Sequence, residues 1–159
     1  MAAKVYLETT IPSYLAARPS RGLLIAAHQQ LTREWWESRR PMFDLYVSEL
    51  VLQESAAGDA NLAGKRLELV ADLPVLALTS GILELAEALV AEGAVPRKAA
   101  GDALHIAIAT AYACEYLLTW NCRHIANAEI QRAARQVVRR RGFELPTICT
   151  PEELMGEEE

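Results

Sequence analysis

The sequence predicts an α/β fold with a mostly parallel sheet, because short runs of strand formers alternate with amphipathic helical patterns between proline, glycine and hydroxyl residues. A second observation is residues 101–109, apolar nearly all the way round at helical spacing, a pattern that belongs to a buried helix. The third is placement: Glu8 and Asn121 stand just past the first and fourth strand-like runs. In open parallel sheets ligands bind beyond the carboxyl ends of the strands.

Lys4, Val5, Tyr6 and Leu7 form the first predicted strand, and Glu8-Thr9-Thr10-Ile11-Pro12-Ser13 marks a turn into a helix. Leu24, Ala27, His28, Leu31 and Trp35 recur at helical spacing over residues 21–40, and Pro41 closes that helix. Trp35 and Trp36 are adjacent, so one is expected in the core and the other over a loop or partner surface. Residues 43–48 are the second strand. Ser48 or Glu49 then starts a helix carrying Glu54 about two turns in, broken at Gly58-Asp59.

A helix over 61–72 and a short strand over 75–78 follow, with Pro74 between them. Thr79 or Ser80 caps a helix over 82–92, Ser80 and Glu84 lying near capping-box spacing, and Gly93 ends it. The apolar helix begins near Lys98 and runs to about Ala113, before a strand over 116–120. Residues 125–141 are amphipathic, with Ile130, Ala133, Ala134, Val137 and Val138 on one face and Arg132, Arg135 and Arg139 on another. Residues 145–149 read as an edge strand, where Pro146 is tolerated.

The 159 residues suit one domain, at 52% hydrophobic and 23% charged, with only an acidic tail at Glu157, Glu158 and Glu159 set apart. A net charge of −5 argues against non-specific coating of nucleic acid, which is driven by counterion release from basic surfaces. The charge is uneven: residues 42–102 hold four basic and ten acidic side chains, and residues 123–141 six basic against Glu129 alone. Cys114, Cys122 and Cys149 are odd in number and widely spaced, which fits small buried thiols rather than a disulfide framework or zinc site. Lys4, Glu8 and Pro12 interrupt any signal-peptide run, and the longest uncharged apolar stretch is too short for a bilayer, so a soluble, cytoplasmic protein without a membrane partner is expected. There is no P-loop and no G-x-S-x-G. Cys122-Arg123-His124 lacks a third group that would mark a thiol nucleophile.

Asp102 and His105 lie three residues apart on the apolar helix, and no Lys or Arg follows Asp102 until Arg123. A desolvated carboxylate needs a partner. Either the helix N-terminus supplies it or a metal ion does. His105 is expected as a hydrogen-bonded support beside Asp102. If Glu8, Glu54 and Asp102 met within about 4 Å, each pair would repel by roughly 4 kcal/mol at an effective dielectric near 20. Three such groups stay ionised only with a cation. All-oxygen ligands suit Mg²⁺ or Mn²⁺, and that points to phosphodiester hydrolysis. Glu54 as an ordinary solvated helix residue is the competing reading.

Val5-Tyr6-Leu7-Glu8-Thr9-Thr10, Glu54, Gly101-Asp102-Ala103-Leu104-His105 and Leu117-Leu118-Thr119-Trp120-Asn121 together resemble the four acidic motifs of the PIN-domain nucleases, and more narrowly the VapC-like toxins of type II toxin–antitoxin pairs. The resemblance implies a three-layer α/β/α sandwich, here a single PIN-like nuclease domain over 1–155 followed by the tail 156–159. It also implies Mg²⁺- or Mn²⁺-dependent RNA cleavage, a homodimer and a cognate antitoxin. Carried over by position, Glu8, Glu54 and Asp102 are the metal acids, Thr9 a hydroxyl near the first acid that contacts substrate, and Asn121 the fourth catalytic position. The family usually has Asp at the positions of Glu8 and Asn121, so this site carries one negative charge fewer. Two other readings stay open: a degenerate module that binds RNA or protein without turnover, and a small-molecule phosphohydrolase using Glu8-Thr9-Thr10.

Overall fold

Five parallel strands form one sheet in the computed structural model, which describes residues 1–157. Of the expected tail, Glu158 and Glu159 lie outside the described residues. The strands are β1 (Ala3–Leu7), β2 (Phe43–Ser48), β3 (Val75–Leu76), β4 (Tyr116–Leu118) and β5 (Thr147–Cys149), in the order β3-β2-β1-β4-β5. Around them lie α1 (Thr10–Ala16), α2 (Leu23–Ser38), α3 (Glu49–Ser55), α4 (Ala60–Leu69), α5 (Ser80–Ala91), α6 (Ala100–Ala111) and α7 (Ala128–Arg140). Helix α1 packs on α2 and α4, and α5 packs on α6 and α7, giving the α/β/α sandwich.

The sheet is all parallel, so every carboxyl end opens on one edge. Strand β1 is central. From it the chain runs to β2 on one side, whereas β4 and β5 add on the other, so β1 and β4 flank the point where the strand order reverses. That is where ligands bind in open α/β sheets. Val5 pairs with Tyr116 and Leu7 with Leu118, which sets Glu8 beside Thr119 at the same height.

Burial explains why the carboxyl-end halves of these two strands are apolar. Val5, Tyr6, Leu7, Leu117 and Leu118 are all fully buried, as strands covered on both faces require. Helix α6 is as apolar as its pattern implied, with Ala103, Ile106, Ala107, Ile108 and Ala109 inaccessible to solvent.

Several local expectations change. The hydroxyl-rich turn after β1 becomes a helix of its own, α1, with Pro12 in its first turn, where the missing N–H has no partner to lose. Helix α5 is capped by Thr79, whose hydroxyl accepts from Ile82 N–H, and the Ser80–Glu84 capping box does not form. Strand β4 stops at Leu118, two residues early, because Thr119 and Trp120 turn their polar groups to the site. Helix α7 starts at Ala128, because Ile125 and Ala126 N–H both close on the Asn121 carbonyl and Asn127 supplies the cap.

Trp35 and Trp36 are both buried, at 0% and 9% exposure. Trp35 is in the core, with its indole N–H donating to the Leu154 carbonyl, and Trp36 is covered by the Arg40 guanidinium 4.4 Å from its ring. Cys114 and Cys149 are buried thiols pushed up by burial to about 11 and about 12, whereas Cys122 is exposed. On α7, Arg140 and Arg141 are tied to Glu92 at the end of α5, at 2.6 and 2.7 Å. Among the described residues no helix is long and apolar enough to cross a membrane.

Leu117 is fully buried beneath the site edge, so Leu117→Ala is expected to cost about 2–5 kcal/mol. Urea unfolding would show a lower midpoint at an unchanged slope.

Candidate active site

Glu8 continues the ladder one residue past β1, its N–H donating to the Leu118 carbonyl at 3.1 Å. That bond carries its side chain to the carboxyl edge between β1 and β4. Glu8 is 4% exposed. Three donors converge on its Oε1: Thr10 N–H at 3.1 Å, the Thr10 hydroxyl at 2.5 Å and the Thr119 hydroxyl at 2.6 Å. The backbone sets the direction of both hydroxyls. Trp120 N–H donates to Thr10 Oγ1 and Asn121 N–H donates to Thr119 Oγ1, each at 2.9 Å, which leaves each hydroxyl proton for Glu8. Among the described residues Glu8 Oε2 takes no hydrogen bond.

The second acid comes from α3. Ser48 ends β2 and caps that helix by accepting from Val51 N–H, and Glu54 lies near the helix end with 39% of its side chain exposed. Its Oε1 accepts from the Thr9 hydroxyl at 2.5 Å and lies 2.6 Å from His105 Nε2. Burial acts to raise the Glu54 carboxyl, but the His105 imidazole and the Thr9 hydroxyl outweigh it and hold the group below the ordinary carboxylate value. Behind it, His105 Nδ1 lies 2.7 Å from the Tyr6 hydroxyl, which lies 2.9 Å from Ser48 Oγ. His105 and Tyr6 are both buried.

Asp102 sits in the first turn of α6 with a quarter of its side chain exposed. The sequence suggested no cationic partner before Arg123, but the structure provides an imidazole: His124 Nδ1 is 3.2 Å from Asp102 Oδ2. His105, expected beside Asp102, turns instead to Glu54. Asn121 accepts His124 N–H on its Oδ1 at 3.0 Å, so the fourth motif residue shapes the turn that presents His124. Thr9, expected near the first acid, bonds the second.

Among the described residues, the group of His, Cys, Asp and Glu side chains whose donor atoms fall within 4.8 Å of one another is Glu8, Glu54 and His105. Glu8 and Glu54 thus come together, and Asp102 stands outside that group. The two acids fit a hard cation. Each has one oxygen engaged by protein donors, and among the described residues each has a second oxygen with no protein partner. Thr119 and Tyr6 were missed as contributors, and Thr10 entered only through the phosphohydrolase alternative. The repeated hydroxyls beside Glu8 and Asn121 were the available signal for the threonines, and nothing local marked Tyr6. Burial and the nearby Glu153 raise the Cys122 thiol above its ordinary value, which disfavours the thiolate form.

A family model described as PIN domain matches residues 6–130, most of the chain. A chain in the crystal structure of VapBC2 from Rickettsia felis bound to a DNA fragment from their promoter shares the fold, with a TM-score of 0.57 and 15% identity over 92% of this chain and 98% of that one. No curated protein matches the sequence.

A carboxyl lowered in the folded state adds stability above its unfolded value, about 4.3, and that stability is lost as pH falls through its folded value. Glu54→Gln is therefore expected to narrow the difference in unfolding free energy between neutral and acid pH. Urea titrations of both proteins at each pH would check it, and an unchanged difference would contradict the assignment.

Proposed function

This chain belongs to the PIN domain family, and on that premise we propose that it is a metal-dependent endoribonuclease that hydrolyses RNA phosphodiester bonds as the toxin of a toxin–antitoxin pair. The family consists of nucleases that use divalent metal ions. The observation that carries the reading is the meeting of Glu8 and Glu54 at the carboxyl edge of the sheet, each with one oxygen held and, among the described residues, the other uncommitted.

In this proposal Glu8 and Glu54 hold Mg²⁺ or Mn²⁺, and Asp102 completes the acid set from α6 at a wider spacing. Bound there, the ion supplies a water of lowered pKa and offsets charge developing on the phosphate. The protein's own residues do the positioning. Thr10 and Thr119 fix Glu8 in its buried place by hydrogen bonds to its Oε1, Thr9 steadies Glu54, and Asn121 holds the turn that sets His124 against Asp102. An antitoxin partner is proposed because the fold neighbour belongs to a VapBC2 assembly, and a homodimer because the resemblance to VapC-like toxins implies one.

A second reading, a module that binds RNA or protein without turnover, is favoured by Asn121 in place of an acid and by the engagement of Asp102 with His124. Purified protein freed of any co-purified partner would be incubated with a mixed structured and single-stranded RNA pool in Mn²⁺. Cleavage is expected in the wild type and loss below detection with chelator, in Glu8→Gln and in Asp102→Asn. Cleavage persisting in Asp102→Asn alone would remove Asp102 from the site. Persistence in every control would sink the metal-nuclease reading, and Mn²⁺ binding without any cleavage would support the binding module.

A further inference from the structure

The buried chain behind Glu54 has one direction that leaves no proton stranded. Ser48 Oγ already accepts from Val51 N–H, so its own proton needs another acceptor, and Ser48 is fully buried. Among the described residues the oxygen placed to accept it is that of the Tyr6 hydroxyl, 2.9 Å away. Tyr6 then donates to His105 Nδ1 at 2.7 Å. An imidazole that accepts at Nδ1 carries its proton on Nε2 when neutral, and that atom is 2.6 Å from Glu54 Oε1. The reverse direction strands the Ser48 proton and sets a bare Nε2 lone pair against a carboxylate unless the ring is charged.

We propose that Ser48 and Tyr6 lock His105 as its Nε2–H tautomer, making it a positioning residue that aims Glu54 rather than a ligand to the metal. The inference rests on the nuclease reading for its kinetic consequence only. Although His105 falls within the 4.8 Å group, its nitrogen there is already a donor. The ion is thereby left to carboxylate oxygens, and the imidazole supports one of those ligands from behind, an arrangement whose loss typically costs 10–100-fold in affinity or activity.

Two measurements test it. In full-length ¹⁵N-labelled protein near neutral pH, long-range ¹H–¹⁵N spectra of the His105 ring are expected to show the Nε2–H tautomer without metal and to keep it on saturation with Mg²⁺. A Nδ1–H ring, a charged ring, or loss of the Nε2 proton on adding Mg²⁺ would overturn the proposal. Tyr6→Phe removes the lock with little change of volume and is expected to abolish the single tautomer; a spectrum unchanged from wild type would also overturn it.

On the RNA cleaved in the preceding test, His105→Leu is expected to lower kcat by about 10–100-fold with KM unchanged, while His105→Gln, which keeps an N–H donor near the same place, recovers most of it. Equal losses in both variants would overturn a positioning role. If the wild type cuts no RNA but its ring shows the locked tautomer, the nuclease reading fails and the hold of His105 on Glu54 stands.

Discussion

A single desolvated carboxylate organises the carboxyl edge of this sheet. Glu8 is buried, and among the described residues it has no ion-pair partner. A buried charge without compensation costs several kcal/mol. Here it is met by one backbone N–H and two threonine hydroxyls, and hydrogen bonds to a charged group each contribute about 1.5–3 kcal/mol. The hydroxyls serve because their oxygens are already occupied by backbone N–H groups of Trp120 and Asn121. The same contacts end β4, start α1 and tie the two segments together. Forming the site and closing this edge of the fold are one event.

The second acid is held differently. Glu54 is more exposed, sits near the end of a short helix, and draws its orientation from a neighbouring hydroxyl and a buried imidazole. Thr9 and Thr10, adjacent in the chain, serve different acids, so α1 starts where the two carboxylates must be kept apart and yet near. Among the described residues each acid has one oxygen bound and one without a partner, the arrangement a hard cation with several retained waters can use. Asp102, from α6, and His124, from the β4–α7 turn, pair with each other outside the Glu8–Glu54 group, with Asn121 bracing that turn.

Much of the architecture was legible in the residues. Uniformly apolar runs such as Val5, Tyr6 and Leu7 announce strands buried on both faces, and the alternation of strands with helices implies a parallel sheet. The position of Glu8 just past a strand was equally plain. What misled was local polarity. Helix α1 was hidden because Thr9, Thr10 and Pro12 look like a turn, although hydroxyls at a helix start can serve a neighbouring acid instead of a bend. Adjacency on one helix argued against burying both Trp35 and Trp36, but Trp36 lies under Arg40, whose guanidinium closes over its ring.

By itself the sequence determined the class of fold, the order of its elements, and that acids stand at strand ends, because periodicity and turn chemistry are properties of neighbours along the chain. Only the tertiary structure decided which polar groups meet. His105 lies three residues from Asp102 but bonds Glu54, fifty-one positions away in the chain, and Asp102 takes His124. Spacing on one helix says which side chains share a face. It does not say which of two other elements, α3 or the turn after β4, that face will meet, since that depends on how the whole sheet brings the elements together.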